Sequence, residues 1–178
     1  GYPLPAAPEL STVLSAWRPD PFGIALACVL VLVWWRPRVP LRTRAQTLRL
    51  LAGAAVLVLV TSGPLNVYGK VLVSAHVLQH VLLMVPAGVL LGSVGAVPHR
   101  IRALCEGRWW AAMLLALAGP TLLIIGYVSP FLRLALDGHA AHLALQVLAL
   151  AGGVLTALAL RAVPSTAPRW QRLLMRGA

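Results

Sequence analysis

Long apolar stretches alternate along the chain with short clusters of charged and turn-forming residues. A helix needs about 20 mostly apolar residues to cross a bilayer, so the charged clusters mark the loops between such helices. The pattern therefore predicts an all-α membrane protein, a bundle of about five transmembrane helices. The predicted spans are residues 17–35, 48–62, 71–97, 109–128 and 139–160. The strictly apolar part of the first of these spans is short.

These spans predict a single transmembrane domain over residues 17–160 with a short segment on either side. Residues 1–16 contain three prolines and lack the basic region that begins a signal peptide, so they are interpreted as an extramembrane lead. Residues 161–178 are predicted to be a basic tail on the cytoplasmic side. Within that tail, Trp170–Arg176 either lies along the anionic membrane surface or is solvated.

Composition supports lipid as the solvent. Hydrophobic residues make up 60% of the chain and charged residues 11%, whereas about a quarter of a soluble domain is charged. The net charge of +11 does not indicate nucleic-acid binding, because the arginines flank hydrophobic segments and do not form a solvated basic face. Cys28 and Cys105 lie in different segments and form no recognisable metal or disulfide framework.

The basic residues are distributed unevenly between the two sets of loops. Twelve of the fifteen fall around the loops after the first, third and fifth spans, and only Arg18, Lys70 and Arg133 fall on the other side. Cytoplasmic loops carry an excess of Lys and Arg. The asymmetry predicts that the N-terminus faces outward and the C-terminus faces the cytoplasm.

Four of the five histidines fall at the beginnings of two spans that both run inward. His76 and His80 begin the third span, and His139 and His142 begin the fifth, which places all four at similar depth near the outer face. Spacings of four and three residues keep each pair on one helix face. Ionisable groups inside a membrane are costly and usually face a partner or a functional site. Because neutral imidazole ligates copper, zinc and iron, the pattern favours a transition-metal site over histidines that each bond a helix carbonyl or sit among headgroups.

Met84 continues the series from His76 and His80 at four-residue steps, and its thioether is a soft ligand suited to copper(I). It lies about 12 Å deeper than His76 at a rise of about 1.5 Å per residue, so one ion cannot easily use both. Its side chain either packs in the core or is a second stop on a transfer path. The candidate metal ligands are thus His76, His80, Met84, His139 and His142.

Three further polar residues lie beside the candidate site. Asp137, just before the fifth span, is expected to cap that helix, the alternative being a carboxylate that orients a histidine. Gln79 and Gln146 are expected to hydrogen-bond across helices. Small residues at Gly152 and Gly153 in the fifth span suit close packing between helices.

Catalytic motifs are missing from the sequence. The segment His76–His80 carries Val77 where the helix of a zinc protease carries its general-base glutamate. The chain has no phosphate-binding glycine loop, no nucleophile elbow and no pair of carboxylates within the spans. We therefore expect no catalytic residues and no enzymatic activity.

Several motifs resemble one family over roughly residues 15–160. They are Trp17-Arg-Pro-Asp-Pro, Ser62-Gly-Pro-Leu65, Ser74-Ala-His-Val-Leu-Gln-His-Val-Leu-Leu-Met84 and the later histidines followed by Gly152. In these motifs the chain resembles the CtaG-like assembly factors of cytochrome c oxidase. His76 and His80 match the family's most characteristic pair of histidines, and His139 and His142 fall where its later histidines occur.

The resemblance implies a multi-pass protein of the bacterial inner membrane that assists copper insertion into haem-copper oxidases. The implied partners are oxidase subunits or another respiratory membrane complex, together with membrane lipids. Two alternatives stay open. One is a haem protein in which histidines of the third and fifth spans ligate iron, and the other is a structural membrane subunit of a respiratory complex.

Overall fold

The computed structural model describes residues 5, 7, 9–36, 43–106 and 108–163. Within these ranges all regular secondary structure is helical. The elements in chain order are α1 (Leu10–Ser15), α2 (Pro21–Trp34), α3 (Arg44–Ser62), α4 (Pro64–Tyr68), α5 (Val73–Leu82), a π-helical segment (Leu83–Gly88), α6 (Val89–Gly92), α7 (His99–Cys105), α8 (Trp109–Val128), α9 (Phe131–Asp137) and α10 (His139–Arg161). Most of the predicted tail, including Trp170–Arg176, lies outside the described residues.

Among the residues that the structure describes, four helical stretches are long and apolar enough to cross a membrane. A fifth apolar helix, α2, is shorter. These helices confirm the predicted all-α membrane bundle, in which four of the five predicted spans have a helix of spanning length. The four long stretches are Arg44–Tyr68, Val73–Gly92, Trp109–Val128 and His139–Arg161.

The first predicted span, residues 17–35, begins later than expected. Helix α2 begins at Pro21, with Pro at its first position, where the missing N–H costs nothing. The side chain of Asp20 accepts a hydrogen bond from the Gly23 amide (2.8 Å) and so caps the helix. With 14 residues, α2 rises about 21 Å, which is less than the thickness of the hydrocarbon core.

The third predicted span, residues 71–97, also differs from the observed helix, which ends at Gly92. Between α5 and α6 the backbone widens into the π-helical segment around Pro86. Proline has no N–H to donate and its ring crowds the preceding turn, so a wider turn accommodates it. The Arg161 guanidinium closes the end of the helix by donating to the carbonyls of Gly92 (2.9 Å) and Gly95 (2.7 Å).

Helix α10 is the centre of the bundle. It packs on α8 on one side and on the π-helical segment and α6 on the other, while α3 packs against α2 and the π-helical segment. Glycines lie at both packing interfaces of α10, because Gly152 faces Gly119 of α8 and Gly153 faces Gly88. The close packing predicted for Gly152 and Gly153 is therefore confirmed.

Short helices bring the candidate ligands to one end of the bundle. Helix α4 leads into α5, and α9 leads into α10, so the first turns of α5 and α10 lie at the same end as the last turn of α8. We call this the histidine end. The predicted lead contributes one exposed helix, α1, that the sequence did not indicate.

Candidate metal centre

The buried face of α5 is polar in its first turns and apolar further along. His76, Gln79 and His80 point into the bundle, followed on the same face by Leu83. These positions have the i, i+3, i+4, i+7 spacing of a helix face that packs on a neighbour. The packing of α5 against α3 and α10 therefore buries two imidazoles and an amide side by side.

Helix α10 repeats the pattern opposite α5. His142 and Gln146 lie in its buried stripe, with Leu145 and Ala149 beside and below them. The stripe begins at His142, so the facing surfaces of α5 and α10 meet through polar side chains at the histidine end and through apolar ones deeper in the bundle.

Three imidazoles meet between these helices. The ring centroid of His76 lies 4.6 Å from that of His80 and 5.0 Å from that of His142, and the His80–His142 separation is 5.6 Å. One ring nitrogen from each residue lies within 4.8 Å of the other two. The exposed fractions are 1% for His76, 0% for His80 and 6% for His142.

Hydrogen bonds to carbonyl groups assign the tautomers of two of the rings. His76 Nδ1 lies 3.1 Å from the Gly69 carbonyl oxygen, and His80 Nδ1 lies 2.9 Å from the His76 carbonyl oxygen. A carbonyl only accepts, so each Nδ1 carries the proton and donates it. In the neutral ring Nε2 then has a free lone pair, which is the form that binds a metal ion.

The two Nε2 atoms have no hydrogen-bond partner among the described residues, and neither does Gln79 Oε1. Leaving a buried polar group unpaired costs about 1–3 kcal/mol, so such groups are few in native proteins. Two of these atoms, Nε2 of His76 and Nε2 of His80, belong to the group of three imidazoles and are acceptors without a donor among the described residues. An electron-pair acceptor such as a metal ion would satisfy the imidazole lone pairs.

Tyr127 in α8 is the residue of this site that the sequence analysis missed. Its hydroxyl donates to the His76 carbonyl (3.1 Å), and its oxygen lies 2.8 Å from His80 Nδ1, where it can accept the imidazole proton. The phenol therefore holds the Nδ1 side of the His80 ring, and Nε2 is left without a hydrogen-bond partner among the described residues. A sequence signal was present, since Tyr127 is a polar residue in the last turn of the fourth span, at the same end as the histidines.

The two glutamines behave differently from each other. Gln79 donates to the Val60 carbonyl of α3 (3.2 Å), which confirms a bond across helices. Gln146 does not reach another helix in this way, because its Nε2 lies 3.0 Å from Nε2 of His142, one turn earlier in α10. If the amide nitrogen of Gln146 donates, Nε2 of His142 accepts the hydrogen bond. If the amide is rotated, its oxygen accepts from a protonated Nε2 of His142, and the free lone pair of that ring is then on Nδ1.

The remaining candidate ligands lie outside the group of three. His139 is exposed at the first position of α10. Met84 lies in the π-helical segment and packs against the apolar core. Asp137 is the last residue of α9 and is exposed, and α10 is preceded by Gly138 with no side-chain cap, so the capping role expected for Asp137 was wrong.

Two cavities reach the group from the histidine end. The larger, about 270 Å³, is lined by His76, His142 and His139 and by the backbone region of Gly69. The smaller, about 200 Å³, is lined by His139, His142 and Gln146. The imidazole group is therefore buried but has space between itself and the end of the bundle.

The spacing of the three rings fits one ion after a small adjustment. Metal–imidazole bonds are about 2.0–2.1 Å long, so two nitrogens that share an ion lie at most ~4 Å apart. The observed nitrogens lie within 4.8 Å of one another, and ring movements of under about 1 Å would bring them to that distance. The donor set is entirely imidazole, which suits copper, zinc, iron and nickel.

The sequence is similar to a known family and to two curated proteins. Residues 26–178 match the family described as cytochrome c oxidase caa3 assembly factor. The uncharacterized protein Mb0105 of Mycobacterium bovis and the uncharacterized protein MT0111 of Mycobacterium tuberculosis are each 31% identical to the chain over 110 residues, which is 58% of this chain. The match spans only 17% of the length of these curated relatives.

No solved structure matches the chain significantly. The family match covers most of the chain and contains all three buried histidines. The chain belongs to the family of cytochrome c oxidase caa3 assembly factors.

Proposed function

We propose that this assembly factor handles copper as cargo, receiving it on the three buried histidines and assisting its insertion into a haem-copper oxidase. The observation that carries the proposal is the convergence of His76, His80 and His142, with two Nε2 atoms that have no partner among the described residues. Family membership indicates that cytochrome c oxidase receives the copper, because maturation of this oxidase requires copper. The role needs binding and release and no bond-making chemistry, so no catalytic residue is assigned.

Copper(I) suits this donor set. Three neutral imidazoles add no charge, so the bound ion keeps its single positive charge, which is less costly to bury than the two charges of zinc. The group contains no carboxylate or thiolate among the described residues, and thiolates would bind the ion more permanently. Imidazole is a ligand of intermediate softness, and a cavity leads to the site. Both features suit a protein that must release the ion again.

The histidine end is proposed to face outward from a bacterial inner membrane. The opposite end carries the basic residues around the helix ends, including Arg44 at the start of α3, Arg108 before α8 and Arg161 at the end of α10. Positive residues favour the cytoplasmic side. Copper would then be received outside the cytoplasm, where oxidase subunits in the same membrane are the proposed partners.

The haem alternative is less well supported by the geometry. A bis-histidine haem needs two imidazoles on opposite faces of a porphyrin. The rings of His76, His80 and His142 instead lie against one another with centroid separations of 4.6–5.6 Å. A porphyrin plane between any two of them would have to drive them apart. Haem would reveal itself by a Soret band, which copper(I) lacks.

Tyr127→Phe is expected to weaken copper(I) binding by about 10-fold to 100-fold, the usual loss when a group that orients a metal-binding histidine is removed. The change deletes only the hydroxyl that contacts His80 Nδ1 and the His76 carbonyl. Competition with a chromophoric copper(I) chelator on the detergent-purified protein measures it. Thr156→Val, which deletes a hydroxyl that donates to the Ala116 and Gly152 carbonyls and does not contact the histidines, is the control and should bind copper like the native chain. Equal affinities for all three proteins would show that Tyr127 does not orient the site.

The proposed function is tested in a bacterium whose own copy of this assembly factor has been removed. Restoring the full native protein is expected to restore copper in the purified oxidase. Restoring the His76→Ala, His80→Ala variant should leave the oxidase with haem but with copper as low as in the deletion strain, although the variant is present in the membrane. A fully copper-loaded oxidase in the presence of the variant would contradict a copper-handling role and favour a structural subunit.

A further inference from the structure

We propose that His139 is an exchange ligand, which binds the copper ion at the mouth of the site and hands it to His142 and then to the buried group. The proposal rests on the proposed function and names the route by which the ion reaches the site. His139 is exposed at the first position of α10, one helical turn before His142. It is also the one predicted histidine ligand that the structure leaves outside the buried group.

The cavities define the route. Both the 270 Å³ and the 200 Å³ cavity are lined by His139 and by His142, so the two spaces converge on these side chains. His76 lines the larger cavity, and its unpartnered Nε2 is buried. His80 lines neither cavity. The order of access is therefore His139 first, then His142 and His76, and His80 last.

Exposure decreases in the same order. His139 is exposed, His142 is 6% exposed, His76 is 1% exposed and His80 is fully buried. An ion that moves along this series exchanges water for imidazole one ligand at a time. It therefore does not lose its whole coordination shell before the buried nitrogens are within reach. His139 and His142 differ by about 4.5 Å along the helix axis at about 1.5 Å per residue, a distance over which one ion can be shared during transfer.

The charges of the cavity walls make a neutral ligand at the mouth more important. Arg18 and Lys70 line both cavities, whereas the larger has one carboxylate, Asp137, and the smaller has one, Asp20. The walls therefore offer a cation no net electrostatic attraction. The transfer is ligand exchange only: the bond from copper to His139 breaks as the bond to His142 forms, and copper remains copper(I).

The test is the rate of copper(I) transfer between a chromophoric chelator and the full detergent-purified chain, measured by stopped flow in both directions. His139→Ala is expected to slow both loading and release by about tenfold, equivalent to about 1.4 kcal/mol in the barrier. The equilibrium affinity should change by less than about threefold, because both rates fall together. His139→Met supplies another copper(I) ligand at the same position and should restore most of the rate.

His99→Ala is the matched control, since His99 is an exposed histidine at the start of α7, outside both cavities. It should transfer copper at the native rate. Unchanged rates in His139→Ala would overturn the exchange role while leaving the buried site intact. A loss of equilibrium affinity as large as that of the His76 and His80 variant would also overturn it, because His139 would then be a permanent ligand. Absence of copper binding by the native chain would instead refute the proposed function itself.

Discussion

Replacing His76 and His80 together by alanine is expected to abolish copper(I) binding by the purified chain, with a loss in affinity of at least about 100-fold. Two of three ligands disappear, and each imidazole contributes a coordinate bond that His142 alone cannot replace. Loss of a single outer group already costs 10-fold to 100-fold at metal sites. Competition with a copper(I) chelator under reducing conditions measures the loss.

Alanine leaves space where two buried rings packed, so a second variant separates ligand loss from misfolding. His76→Gln, His80→Gln keeps side chains of similar volume that bind copper(I) poorly. Both double variants should retain the helical circular dichroism of the native protein. The His99→Ala control should bind copper normally, since His99 is exposed and lies on α7. Native affinity in either double variant would show that the ion binds elsewhere.

Gly153→Ala is expected to have the largest effect on folding. A methyl group at this position would collide with the carbonyl oxygen of Met84 and would lie 3.0 Å from the Cα atom of Gly88. Both obstacles are backbone atoms, so no side chain can rotate away and α10 must move off the π-helical segment. Overpacking of this kind costs about 1–3 kcal/mol. The expected result is a lower midpoint of thermal unfolding in detergent.

The control for this variant is Gly95→Ala. Apart from its chain neighbours, no heavy atom of the described residues would lie within 4 Å of a methyl group at Gly95, so the midpoint of this variant should stay at the native value. Because α10 carries His142 and α5 carries His76 and His80, separating these helices should also reduce copper affinity in Gly153→Ala. A Gly153→Ala protein as stable as native would show that the two helices do not approach as closely as described.

The sequence predicted the membrane bundle well because length and hydrophobicity alone determine a spanning helix. It placed the third and fifth spans so that His76, His80 and His142 fell at one depth, and these three meet in the structure. It could not separate His142 from His139. Both lie on one face of α10 by spacing, but only His142 is far enough along the helix to be covered by α5 and its neighbours.

Features that depend on tertiary contacts were not predictable from spacing. The role of Tyr127 depends on the packing of α8 beside the histidines, and the tautomer of His76 depends on a carbonyl at Gly69 that carries no residue-specific signal. Backbone details were also missed, including the π-helical segment around Pro86. Asp137 was expected to cap α10, but α9 continues through this residue and leaves Gly138 as the cap position.

The central claim is that the three buried imidazoles bind one copper ion, and metal analysis with an absorption spectrum tests it most directly. The full chain would be purified in detergent, loaded with copper(I) under reducing conditions and freed of excess metal. We predict about one copper per chain with no Soret band, the stoichiometry expected when a single imidazole group shares one ion. A Soret band without copper would assign the site to haem. A protein that retains neither copper nor haem would contradict the account.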